Sequence, residues 1–308
     1  MSIVKSLSVG EGDMFYIRHN SDNFTIIDCC VEEEWHKQVV EELENAASGK
    51  IIKRFISTHP DDDHIRGLKK LCKDFEIPNF YCVANKALNP DGEEDFDMYC
   101  KLRDGSSCFY LEQGCSRKWM NLNSNPGDDE QRQSAGINIL WPVVKNEKYQ
   151  EVLKAVKDWQ DPNNMSPIIR YEAEGKKSFI WFGDMENSFQ EKIKNEIKLP
   201  RTDVVFAPHH GRKSGHLVSE WLQELEPKVI IVGEAPSEHL DYYRGYDTIT
   251  QNTAGDITFV CENGQIDIYV GEKDYDPYCT KLKNLEKPLS LVNHRYNPRY
   301  GYYVGTII

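Results

Sequence analysis

The chain has 308 residues, 39% hydrophobic and 28% charged, a balance that excludes a disordered or membrane-embedded protein and fits a folded, water-exposed one. Fifty Asp and Glu against 37 Lys and Arg leave a formal net charge of −13, which argues against broad, sequence-blind attraction to a polyanion but leaves room for a local basic surface. The start MSIVKSLSVGEGDMFYI has no signal-peptide pattern, no apolar run reaches bilayer length, and the nine cysteines are odd in number without a CxxC pair, so a reduced, cytoplasmic protein with no membrane association is expected.

In chain order, Met14–Arg18 and Phe24–Asp28 predict two strands joined by the polar turn His19–Asn23. Glu33–Ala47 spaces Trp35, Val39, Val40 and Leu43 as a helix does and ends near Gly49. Ile51–Ser57 predicts a strand, Ile65–Phe75 a helix, and Phe80–Val83 another strand, an alternation that points to a layered α/β protein. From 85 to 135 the pattern degrades into Gly, Asp, Ser and Asn, which reads as an insertion lying over the sheet. Strands follow at Ile137–Trp141, Ile168–Ala173, Ser178–Phe182, Asp203–Ala207 and Lys228–Val232, with helices at Asn187–Ile197 and Leu217–Leu225. Asp256–Cys261 and Gln265–Val270 read as a hairpin around Glu262-Asn263-Gly264. The body of the chain is therefore 1–271. The extension 272–308 carries Lys281, Lys283, Lys287, Arg295 and Arg299 among tyrosines, and either packs back on the body or offers a surface for nucleic acid.

The strongest chemical signal is Ser57-Thr58-His59-Pro60-Asp61-Asp62-Asp63-His64, which follows one strand and opens one helix. His59, Asp61, Asp63 and His64 crowd two imidazoles and two carboxylates onto a tight turn, and close carboxylates repel unless a cation joins them. A helix cap would need one carboxylate, not three flanked by histidines. Further candidates stand where strands end: Asp28 after Phe24–Ile27, Asp184 after Phe182-Gly183, and His209 and His210 after Pro208. Singly each reads as a turn or a structural residue; together they place carboxylate and imidazole at several strand ends, where α/β folds gather ligand sites.

His59-Pro60-Asp61-Asp62-Asp63-His64 resembles the HxHxDH signature of the metallo-β-lactamase superfamily, with Asp61 in place of the middle histidine. The order strand-Asp28, this motif, Gly183-Asp184 and strand-His209-His210 resembles it too. The HxDxDH variant is similar to the hydrolase domain of the ComEC-like DNA-uptake proteins. So are Val9-Gly10-Glu11-Gly12-Asp13, Asn163-Asn164-Met165-Ser166 and Pro208-His209-His210-Gly211-Arg212-Lys213-Ser214. The resemblance runs from about Met1 to Val270. It implies an αββα sandwich with two divalent metal ions, Zn²⁺ or Mn²⁺, at one sheet edge: His59 and Asp61 on one, Asp63 and His64 on the other, Asp184 between them, and His210 or His209 completing the second. Asp28 would orient a ligand histidine. A histidine usual between the first motif and the Gly-Asp pair has no counterpart here; Asn164 and Ser166 occupy that region.

The resemblance further implies hydrolysis of a phosphodiester, with Asp63, Asp184, His210 and Lys213 in catalysis and Asn164, Ser166, Arg212 and His239 on the substrate. A nuclease acting on DNA is the leading expectation. A phosphodiesterase for a small or cyclic nucleotide, a hydrolase of carbon esters, and a non-catalytic binding module working through a protein partner are the alternatives. The acidic charge favours a small substrate over a long polyanion.

Overall fold

The computed structural model describes residues 1–90, 92–235, 242–275 and 296–308. Among these, two sheets carry the chain. The first begins with the antiparallel strands β1 (Ser2–Ser6), β2 (Phe15–Arg18) and β3 (Asn23–Ile27). It continues in parallel through β4 (Ile52–Ile56), β5 (Phe80–Cys82) and β6 (Cys108–Tyr110). Helices α1 (His36–Ala47), the short α2 (Asp62–Ile65), α3 (Leu68–Asp74) and α4 (Glu94–Arg103) lie between its strands in sequence.

The second sheet begins antiparallel with β7 (Ile137–Trp141), β8 (Ile168–Glu172) and β9 (Ser178–Trp181). It turns parallel through β10 (Val204–Phe206), β11 (Val229–Val232) and β12 (Thr248–Thr250). Helices α5 (Glu147–Lys157), α6 (Asn187–Ile193), α7 (Ser219–Leu225) and α8 (Gln251–Ala254) accompany it. The chain then returns to the first sheet: β13 (Ile257–Glu262) pairs with β1 and β14 (Gln265–Val270) with β13. Beyond β15 (Tyr296–Asn297), β16 (Gly301–Ile307) pairs with β14.

Strand alternation decides the layering. In β2, Phe15 faces the second sheet, its ring 4.9 Å from Phe206 and 6.1 Å from Trp181. Its neighbours Tyr16 and Arg18 point the other way and donate to Glu42 and to the Ala46 carbonyl of α1. Phe259 of β13 meets Phe179 and Phe206 across the same interface. On the far side of the second sheet, Trp141 packs against Tyr149 of α5 and Phe189 of α6. Phe182, just past β9, stacks on Trp221 of α7. The molecule is an αββα sandwich whose aromatic core lies between the sheets.

Several elements differ from their sequence expectations. The helix expected over Ile65–Phe75 is broken at Gly67, whose φ is +79° and where a Cβ would come within 2.6 Å of the Val31 carbonyl oxygen. The helix expected to reach Ile197 stops at Ile193. Within 85–135, β6 pairs with β5 at the edge of the first sheet, and α4 packs against α2, α3 and β5. Of the extension, β15 and β16 join that sheet, whereas Lys281, Lys283, Lys287 and Arg295 lie outside the described residues. At the β13–β14 turn, Asn263 and Gly264 both have positive φ, the geometry a two-residue hairpin with right-handed twist demands. No helix among the described residues is long and apolar enough to cross a membrane.

Candidate metal centre

Four parallel strands end at one place. Asp28 follows β3, Ser57–His64 follows β4, Asp184 follows β9, and His209 and His210 follow β10. Because β3 neighbours β4 and β9 neighbours β10, the carboxyl ends of two strand pairs, one per sheet, converge on a single cleft. The backbone is bent to serve this. Gly183 has φ +53°, and a Cβ there would lie 2.6 Å from Ser166 Oγ and 2.9 Å from Thr58 Cβ. Asp28, His209 and His210 also adopt positive φ, a conformation that costs about 1–3 kcal/mol for non-glycine residues and concentrates at functional sites.

Asp184 is the centre of the cluster. Its Oδ1 lies 3.1 Å from His64 Nε2, and its Oδ2 lies 3.6 Å from His210 Nε2, 3.7 Å from His209 Nε2 and 4.0 Å from His59 Nε2. Asp63 completes one side, 3.3 Å from His210 Nε2 and 3.9 Å from His64 Nε2. Asp61 stands 3.8 Å from His59 Nε2.

Each of the four imidazoles is held by its other nitrogen. His64 Nδ1 meets Asp28 Oδ2 at 2.9 Å, and Asp28 in turn accepts from the Thr58 amide and hydroxyl at 2.7 and 2.6 Å. His59 Nδ1 meets Thr58 Oγ1 at 3.0 Å and Ser166 Oγ at 3.4 Å. His210 Nδ1 meets Asp13 Oδ1 at 3.1 Å, and His209 Nδ1 meets Ser214 Oγ at 3.0 Å. Every Nε2 is therefore turned toward Asp184.

Burial and charge set the protonation of this cluster in the absence of a cation. Burial, with the charge of His64, lowers His59 to about 3, so its ring is neutral. Burial raises Asp61 to about 7. Burial opposes charge on His64, but Asp184 and Asp28 overcome it and hold that ring's pKa well above the usual histidine value. His210 is likewise raised to about 10 against burial, by Asp13 and Asp184. Asp63 and Asp184 stay below the usual carboxylate range despite burial, Asp63 through His210 and His64, Asp184 through His64 and His210.

The donor set fits a divalent cation. Ligand atoms of Asp63, His64, Asp184 and His210 all lie within 4.8 Å of one another. His59 Nε2, His64 Nε2 and Asp184 Oδ1 are buried without any hydrogen-bond partner, although His64 Nε2 and Asp184 Oδ1 are close enough for an ion pair. Buried polar atoms are nearly always satisfied, so three orphans in one cluster mark a place where something else binds.

The sequence candidates divide. His59, Asp61, Asp63, His64, Asp184, His209 and His210 are brought together, and it is His210, not His209, that faces Asp63. Asp28 lies directly behind His64. Asn164 and Ser166 are buried beside the cluster: Asn164 Oδ1 accepts from the Glu186 amide at the start of α6, and Ser166 Oγ accepts from the Asp184 amide. Arg212 pairs with Glu11 at 2.8 Å on the approach to Asp63. Lys213 is exposed on the loop after His210. His239 lies outside the described residues. Motif reading gave no role to Asp13, Thr58 or Ser214; Asp13 lies 197 residues from the ring it holds, a separation no local pattern encodes.

No family model matches the chain. It is 22% identical over 202 residues to ComE operon protein 3 of Bacillus subtilis (strain 168), an alignment that covers 66% of this chain but only 22% of that protein. That likeness agrees with the motif resemblance to the metallo-β-lactamase superfamily. Among solved structures, CmlA, a diiron beta-hydroxylase from Streptomyces venezuelae, aligns with a TM-score of 0.40 and 12% identity over 76% of this chain and 44% of that one.

Proposed function

We propose that this protein is a metal-dependent hydrolase of phosphodiester bonds, a nuclease acting on DNA in the first instance. One observation carries the metal-dependent part: four histidines, each pinned through Nδ1, turn Nε2 toward one buried carboxylate. Such anchoring fixes the tautomer and orientation that a metal ligand needs. Asp63, His64, Asp184 and His210 would hold one ion, and His59, Asp61 and His209 would help to hold a second beside Asp184. Their mixed nitrogen and oxygen set suits Zn²⁺ or Mn²⁺. Such an ion, when bound, supplies Lewis acidity that lowers the pKa of a water and offsets phosphate charge. The chain's own contribution is to fix ring orientation through Asp28, Thr58 and Asp13, and to line the approach with Arg212, whose guanidinium can meet a phosphate oxygen. Support for DNA comes from the similarity of the HxDxDH motif to the ComEC-like domains.

A smaller substrate, a single or cyclic nucleotide, is favoured by a second observation. The hollow beside Asp63 is lined by Glu11, Glu32 and Asp62 as well as by Arg66 and Arg212. Both arginines are already paired with those carboxylates. An approach with little free cationic charge offers poor purchase to a long polyanion.

The test is hydrolysis of linear DNA, RNA and bis-p-nitrophenyl phosphate with Mn²⁺, Zn²⁺ or EDTA, beside the Asp63→Ala/His64→Ala double variant. Metal-dependent cleavage of DNA that the double variant lacks is the expected result. Cleavage of the small ester alone moves the substrate to nucleotide size. No cleavage and no bound metal would leave only a binding module.

A further inference from the structure

Beside the metal centre the fold leaves a second hollow that the cluster does not use. It has a volume of about 290 Å³ and lies between the start of α1, the outward face of β1 and the loop after it. Leu7, Val9, Val31 and Val39 form apolar walls. Its floor is polar: Lys5 Nζ is held at 2.9 Å by Glu42 and at 3.0 Å by Asp256. Trp35 stands at the lip, 53% exposed, next to Gln38, whose amide makes no hydrogen bond among the described residues. Ser8, Val9, Glu32 and Trp35 also line the hollow that reaches Asp63, so the two spaces are neighbours that share a wall.

We infer that this hollow is a nucleobase subsite, which receives the base of the nucleoside whose phosphate lies at the Asp63–Asp184 cluster. The inference rests on the phosphodiester reading above and names the part of the substrate that the protein recognises. A flat ring fits apolar walls with an indole at the mouth, because base-on-aromatic stacking tolerates any base and contributes by area and π contact. The free amide of Gln38 offers one donor and one acceptor, the pairing that a base edge presents. An aliphatic chain would fill the walls but strand its end on the Lys5–Glu42–Asp256 floor, which must stay hydrogen-bonded when water leaves. A second phosphate is disfavoured by the carboxylates Glu32, Glu42 and Asp256 around it. The occupant is thus neutral, planar and edged with hydrogen-bonding groups.

Two measurements test this. The first compares the p-nitrophenyl ester of thymidine 5′-phosphate with methyl p-nitrophenyl phosphate, which share a leaving group and differ in the nucleoside. The subsite predicts that kcat/KM favours the nucleoside ester, and that Trp35→Ala lowers the ratio of the two by about tenfold, within the range alanine substitution of a stacking residue gives. Gln38→Ala, at an exposed position, should lower it less. A ratio unchanged within about twofold in both variants overturns the subsite. The second measurement needs no catalysis. Of the six tryptophan indole N–H signals in an ¹⁵N-labelled sample, that of Trp35 is assigned by its loss in Trp35→Phe, then followed as adenosine, thymidine or cyclohexanol is added with metal chelated. A saturable shift with the nucleosides and not with cyclohexanol supports the subsite. No shift, or an equal shift with cyclohexanol, overturns it. If neither ester is hydrolysed but the nucleosides still shift Trp35, the phosphodiesterase reading fails and the base site stands.

Discussion

A buried imidazole is useful as a ligand only if its idle nitrogen is occupied, and here the occupants are as specific as the ligands. Replacing Asp28 by Asn removes the charge that faces His64 Nδ1 while keeping the shape, and should weaken metal binding by about 10–100-fold, read by competition with a chromophoric chelator. An affinity unchanged by that substitution would remove Asp28 from the site. The same residues make binding depend on pH. In the metal-free protein His210 is held up to about 10 and Asp61 to about 7, so protons sit where the proposed cation would bind. Ligands bind metal deprotonated, hence affinity should rise as pH climbs through 7 and continue to rise toward 10. Calorimetry at pH 7 in two buffers of different ionisation enthalpy should report protons released on binding; equal heats would contradict it.

At the scale of elements, the deciding device is the turn that follows a parallel strand. Gly183→Ala places a Cβ against Ser166 and Thr58 in a left-handed conformation. It should destabilise the fold by about 1–3 kcal/mol and swing Asp184 out of the cluster, seen as a lowered denaturation midpoint together with lost metal. A variant equally stable and fully loaded would show that the turn has slack.

Much of this level was legible in the sequence. Ile137–Trp141 and Gln265–Val270 are strands over the residues that their alternation marks. The clustered carboxylates and imidazoles stand out because they crowd one turn and several strand ends. Periodicity alone misses β1, whose Lys5 and two serines read as polar yet are buried, Lys5 through its ion pairs with Glu42 and Asp256. Helix α5 carries a readable spacing in Tyr149, Val152 and Val156, although its polar residues blur it. The break at Gly67 was hidden because its cause, the Val31 carbonyl, approaches from another part of the chain. Asp13 has no local signal for the same reason: the ring that it holds lies 197 residues away.

For the molecule as a whole, the groups that join α1 to the first sheet also set its tolerance of acid. Burial works against the Glu42 carboxylate, but Lys5 and the Tyr16 hydroxyl prevail and hold it below its usual value. A carboxyl depressed on folding contributes stability above its unfolded pKa, about 4.3, and loses it as pH falls through the folded value. Glu42→Gln should therefore flatten the acid limb of a melting-temperature profile between about pH 5 and pH 3, while an unchanged limb would assign acid sensitivity elsewhere. Glu42 is partly exposed, so the effect will be modest and smaller in high salt.

The order of strands has a further consequence, in time. β1 leaves a ribosome well before one of its two neighbours, β13, which begins 251 positions after β1 ends, at Ile257 against Ser6. Until that strand emerges, β1 has a bare edge of backbone donors and acceptors, of the kind that recruits other chains. At about 5–20 residues per second, that interval lasts roughly 13–50 s. A nascent chain stalled before β13 should therefore engage holdase chaperones, and one that has emerged through β16, which covers the β14 edge, should not.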